Sequence, residues 1–108
     1  MSSTESQIDR MRALVEADGL DQLAQYRMGC AYLEAGEPMR AIPVFRRCVE
    51  INPQYAAAWL ALGRCYIPVG VAKEARAALL TGQRAARETN EPAVAAEIAK
   101  LLAGLPQD

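Results

Sequence analysis

The chain has 108 residues, of which 52% are hydrophobic and 23% charged, with a formal net charge of -1. That is the composition of a globular domain with one core, too short for two, and its near-neutral balance argues against a dedicated nucleic-acid binder. The complete lack of His removes the Ser-His-Asp and Cys-His arrangements and His-containing zinc sites, so the sequence implies neither an enzyme of those kinds nor a bound metal or cofactor.

Helical periodicity runs through nearly the whole chain, with breaks about a dozen residues apart, which predicts an all-α fold. A first helix is expected within residues 1–20, with Ser2 or Thr4 as cap, Ile8, Met11, Leu14 and Val15 on one face, and Asp18-Gly19 as its end. The second covers roughly 22–35 and stops at Gly36-Glu37-Pro38. The third reaches about Ile51 and ends at Asn52-Pro53, with Pro43 inside it as a source of a kink or a delayed start. The fourth spans about 55–68 and closes at Pro68-Val69-Gly70, and the fifth runs from about 72 to 88 and ends at Thr89-Asn90. A last helix begins near Glu91-Pro92 and carries Val94, Ile98, Leu101 and Leu102 as one apolar stripe, with Gly104 and Pro106 after it.

The polar, acidic start has no basic stretch leading into an apolar run, and no segment approaches the length of a membrane span; both predict a cytoplasmic protein with no membrane contact. Cys30, Cys48 and Cys65 form an odd set without CxxC spacing, which fits buried thiols in a reducing compartment. Cys48 falls on a small core position, Cys65 on a packing position, and Cys30 on a face that could be open.

Shifting the sequence against itself by 34 residues aligns 22–55 with 56–89 without a gap. Ala24/Ala58, Gly29/Gly63, Tyr32/Tyr66, Gly36/Gly70 and Ala41/Ala75 are identical, and Met28/Leu62, Leu33/Ile67 and Phe45/Leu79 are alike in size. A glycine repeated in mid-helix, where it costs about 1 kcal/mol relative to Ala, implies that a neighbour passes too close for a side chain.

Trp59, Leu62, Gly63 and Tyr66 reproduce W-x2-L-G-x2-Y, and Ala41, Phe45 and Pro53 supply A-x3-F and a closing proline, so the chain resembles a small bacterial tetratricopeptide repeat protein. It departs from the pattern at Gln25, which replaces the first repeat's aromatic, at Arg87, which replaces the second repeat's proline, and at Pro43. The resemblance implies one domain over 1–108: a short right-handed α-solenoid of two helix-turn-helix repeats, 22–55 and 56–89, flanked by single helices at 1–20 and 90–105. The first flanking helix looks like the second half of a degenerate repeat. In the last, Glu97 takes the place of the packing glycine and Lys100 that of the tyrosine.

The resemblance further implies a concave groove lined by the first helix of each pair. Carried over, its positions are Leu23, Tyr26, Arg27, Cys30 and Leu33 from one repeat and Ala57, Leu60, Ala61, Arg64 and Ile67 from the next. Such a groove suits a peptide or amphipathic helix of another protein that carries an acidic group, with Arg27 and Arg64 as donors. The Lys and Asn that hold a terminal carboxylate in chaperone-binding members are replaced by Tyr26, Cys30 and Ala61, so that mode is not expected. The function implied is a non-catalytic protein-interaction module, an adaptor, scaffold or assembly factor. The alternative is a self-associating subunit whose groove is buried in a homodimer.

Charge is also segregated: residues 38–87 carry eight basic side chains against two acidic, the reverse of both flanks. Many of these bases fall on the second helices and read as solvated faces. No aromatic residues alternate with them, which argues against nucleic acid as partner. Glu16 with Asp18, and Glu34 with Glu37, lie at helix ends rather than in a pocket that would tune a carboxylate pair.

Overall fold

A computed structural model describes residues 22–106, and the expected first helix lies outside them. The described chain forms five helices: α1 (Gln22–Glu34), α2 (Pro38–Ile51), α3 (Ala56–Val69), α4 (Ala72–Glu88) and α5 (Pro92–Gly104). Each packs on the next in chain order, and α3 also touches α1 and α5, which is the neighbour pattern of stacked hairpins. No strand occurs among the described residues.

Three helix ends use one backbone device. At the end of α1 the Glu37 amide donates to the Tyr32 carbonyl at 2.9 Å and Gly36, with φ at 76°, donates to Leu33 at 3.0 Å. This doubled closure satisfies carbonyls that the helix leaves orphaned and requires a left-handed residue. Gly70 (φ 89°) does the same after α3, through Val71 to Tyr66 and Gly70 to Ile67. After α4 the left-handed residue is Asn90 (φ 57°), with Glu91 donating to Ala86 at 2.7 Å. Asn90 therefore makes the turn for which the repeat pattern would use proline, and its short polar side chain tolerates the conformation better than most.

The turn between α2 and α3 is built differently. Asn52 ends α2, and its side-chain oxygen accepts from the Gln54 amide at 3.1 Å while its Nδ2 donates to Gln22 at 3.3 Å. The Trp59 indole N–H donates to the Pro53 carbonyl at 2.9 Å, so the aromatic of the second repeat also clamps the turn before it. Pro43 neither delays nor divides α2, which runs continuously from Pro38. Its missing N–H frees a carbonyl one turn back at Met39, and both residues lie on the exposed side, where water can serve that carbonyl.

Packing accounts for the repeated glycines. A Cβ on Gly29 would stand 2.6 Å from the Phe45 ring, and one on Gly63 would stand 2.6 Å from Leu79 Cγ. Phe45 and Leu79 have no exposed surface, and full burial of such side chains contributes about 1.5–3 kcal/mol each. The core has one main cluster around Phe45, Cys48, Leu62 and Cys65, and a second in which Ile98 of α5 meets Leu60 and Leu79. Leu105, just past α5, joins the second cluster, and Arg76 donates to the Pro106 carbonyl, which fastens the end of α5 to α4.

Candidate functional site

The residues expected to form a groove occupy one face of α1 and one of α3, at three- and four-residue spacing. On α1, Leu23 is 51% exposed, Arg27 is exposed, and Tyr26, Cys30 and Leu33 are half-buried. On α3, Ala57 is half-buried, Ile67 is 37% exposed and Arg64 is exposed.

Leu60 and Ala61 are buried, Leu60 in the cluster with Ile98 and Leu79 and Ala61 in the main core, and keep only 8% and 5% of their surface exposed. Leu60 is covered because α5 returns against α3, a contact that no local periodicity encodes.

At the centre of the face Tyr26 stacks on Tyr55, with ring centroids 5.3 Å apart and planes 25° apart, and meets Phe45 at 5.8 Å in a tilted arrangement. Burial pushes the Tyr26 hydroxyl up to about 12, helped by Cys30, to which it is hydrogen-bonded. Burial likewise raises the Cys30 thiol, while the Tyr26 bond and the Arg64 charge pull in the other direction. Tyr26, Cys30 and Arg64 are thus within electrostatic reach of one another, and at neutral pH the first two are uncharged donors and acceptors beside a cation. Cys48 and Cys65 are fully buried, as their repeat positions led one to expect, and burial lifts both thiols to about 11.

Arg64 is not a free donor. Its Nη2 lies 3.3 Å from Glu97 on α5, and Glu97 also meets Lys100 at 3.7 Å. The glutamate at the register of a packing glycine therefore marks where close helix packing stops and an exposed ion pair begins. Tyr55 was not anticipated, because it precedes α3 at a position that does not recur as an aromatic one repeat away. Among the described residues no group of three or more His, Cys, Asp or Glu is placed to hold a metal ion. No helix there is long and apolar enough to cross a membrane.

The arrangement can therefore bind through rings, aliphatic side chains and two guanidinium groups. A family model for the tetratricopeptide repeat matches residues 32–103. The TPR repeat-containing protein PA0015 of Pseudomonas aeruginosa is 40% identical over 63 residues, which make up 57% of this chain and 60% of that protein. The chain thus spans less than two thirds of that curated relative. A Yersinia enterocolitica type III secretion chaperone, SycD, solved with a peptide of the translocator YopD, superposes with a TM-score of 0.86 at 17% identity, over 93% of this chain and 77% of that one. The solution structure of protein BPP2914 from Bordetella parapertussis gives a TM-score of 0.76 at 26% identity, over 95% of this chain and 86% of that one.

Proposed function

The chain belongs to the tetratricopeptide repeat family, and from that premise we propose that it is a non-catalytic module that binds a peptide or helix of another protein in the cytoplasm. The proposed surface is the face shared by α1 and α3, reduced to Leu23, Tyr26, Arg27, Cys30, Leu33, Ala57, Arg64 and Ile67. The observation that carries this reading is the mixture on that face: exposed Leu23 and Ile67 flank a half-buried aromatic centre, Tyr26 on Tyr55, beside the exposed Arg27. Apolar area there supplies affinity, and the guanidinium groups favour a ligand with an acidic group. The peptide held by SycD belongs to that protein alone, but it supports the view that this arrangement of helices suits such a ligand.

The test is selection of peptides from a displayed library, followed by mapping of backbone chemical-shift changes on the chain. Shifts concentrated at Tyr26, Cys30, Leu33 and Ile67, and abolished by Ile67→Glu, are expected; shifts confined to α4 and α5, or failure to select any ligand, overturn the proposal. Ile67 suits this purpose better than Leu60, whose burial would turn a binding test into a folding test. Light scattering distinguishes the alternative. A mass near 11.7 kDa at all concentrations leaves the face free for a partner, whereas a dimer split by Ile67→Glu assigns it to a second copy.

A further inference from the structure

Two cavities in the described chain are related by the repeat. The larger, about 410 Å³, lies between α2, α3 and α4, with Trp59 and Leu62 on one wall and Ala77, Ala78 and Thr81 on another. Its third wall is the end of α2: Arg46, Val49 and Glu50. The smaller cavity, about 190 Å³, is bordered by Gln25 and Met28 of α1 and by Pro43, Val44 and Arg47 of α2. Each of these five residues stands 34 positions before one of the seven that α3 and α4 contribute to the larger cavity; Tyr66 and Glu74 are the two without a counterpart on the smaller one.

Applied to the third wall, the same shift arrives at Arg12, Val15 and Glu16, which are the same residue types in the same order. The register holds around them. Ile8 falls at Ile42, Met11 at Phe45 and Leu14 at Cys48, so the apolar set of α2 recurs. Asp18 falls at Asn52, the residue whose side-chain oxygen accepts from the amide two residues on, a turn that Asp forms equally well.

Charge points the same way. The larger cavity has Glu50 and Glu74 on its border together. One repeat earlier, Arg47 on the border of the smaller cavity stands at the register of Thr81, and Arg40 at that of Glu74 is paired with Glu37 at 3.7 Å, so Glu16 at the register of Glu50 would face the Arg47 cation and no unpaired acid.

We propose that residues 8–16 of this chain occupy the α1–α2 cavity as the second helix of a preceding half repeat, with Val15 against Met28 and Glu16 facing Arg47. The inference rests on register, cavity shape and charge, and is independent of what the α1–α3 face binds. It would close the outer side of α1 and leave the opposite face of that helix as the one available to a partner.

The test uses the whole chain with methyl groups of Met, Val and Leu labelled for nuclear Overhauser spectroscopy. Cross-peaks between the Val15 methyls and the Met28 methyl are expected, as the counterpart of those between Val49 and Leu62, which border the larger cavity and serve as control. Their absence while the Val49–Leu62 peaks are present overturns the proposal. Their appearance in an isotope-filtered experiment on mixed labelled and unlabelled chains also overturns it, by assigning the cavity to a second copy. Val15→Asp should raise amide exchange across α1 by ~tenfold or more without changing α5, because opening of one packed unit exposes only its own amides; unchanged exchange in α1 counts against the docking.

Discussion

The two hairpins of this molecule share a register and solve the same packing problem in opposite ways at one place. In α3–α4 a large residue, Trp59, lies over Gly82, where an added Cβ would stand 2.6 Å from the Trp59 Cβ. In α1–α2 the corresponding residues are Gln25 and Cys48, both buried, with the thiol 4.0 Å from the Gln25 side-chain oxygen. Bulk has moved from the first helix to the second, and a polar contact has replaced an aromatic one. The other close approach, glycine against Phe45 or Leu79, is kept in both hairpins. A repeat thus preserves the spacing between backbones while exchanging which side fills the space.

The largest expected effects come from filling the glycine positions. Alanine is favoured over glycine within a helix by about 1 kcal/mol, but overpacking a tight core costs typically about 1–3 kcal/mol. The clash should win here, since the opposing side chains are confined. Gly82→Ala should be the worst, at a net loss of about 2 kcal/mol, because Trp59 Cβ is tied to its backbone and no rotamer moves it. Gly29→Ala should follow, and Gly63→Ala should cost least, since the Leu79 side chain can turn where the Phe45 ring cannot. Urea denaturation of the three variants gives the ranking. A stabilised Gly82→Ala would mean that the hairpins are spaced by something other than this contact.

Exchanging the two solutions gives a smaller and more selective effect. Gln25→Trp alone should destabilise the chain, since Cys48 stands where α4 has glycine; adding Cys48→Gly should restore part of the loss. A coupling of about 1 kcal/mol in the double-mutant cycle is expected for residues in contact. Additive losses would show that Gln25 and Cys48 are not the counterpart of Trp59 and Gly82.

The buried thiols, one in each hairpin, respond alike in alkali. Cys48 and Cys65 stay protonated in the folded chain to about pH 11, against an ordinary value of 9.0. A folded value raised above the unfolded one leaves stability unchanged below pH 9 and lowers it as pH rises from 9 toward 11, because the unfolded chain releases those protons first. Thermal melts at stepped pH should fall over that window, and Cys48→Ala should flatten part of the slope. In the folded chain at neutral pH, a disulfide reagent should modify half-buried Cys30 first and reach the other two only after unfolding.

How far each of these features could be read beforehand depends on whether its cause was local. Helix bounds could be read within a residue or two because Gly36, Gly70 and Pro53 act on their own backbone. The buried thiols were legible because Cys48 falls on a small core position of its repeat and Cys65 on a packing position between repeats. The surroundings of the candidate face were legible only in part. Tyr26, Cys30 and Leu33 lie where the α1 face predicts, but Leu60 is taken by α5, Tyr55 enters from a turn, and Arg64 is engaged by a helix that has left the repeat pattern. The α5 contacts come from a non-repeating element and Tyr55 from a position that does not recur as an aromatic, neither of which a periodic argument can see.

The smallest effect tests that last contact. Arg64 and Glu97 are both 47% exposed, so their 3.3 Å approach is screened by water, and exposed pairs of this kind contribute about 0.2–1 kcal/mol. A double-mutant cycle with Arg64→Ala and Glu97→Ala should give a coupling at the low end of that range, decreasing with salt, since Glu97 also has Lys100 to share. Its importance would lie in binding rather than in folding. A ligand carboxylate that draws Arg64 away from Glu97 gives up little stability in α5, whose hold on the chain comes from Ile98 and Leu105. Glu97→Gln should therefore tighten an acidic peptide by freeing the guanidinium, while leaving the melting temperature nearly unchanged. If the variant binds the acidic peptide no better, the second guanidinium takes no part in recognition and Arg27 in the first hairpin carries the charge preference alone.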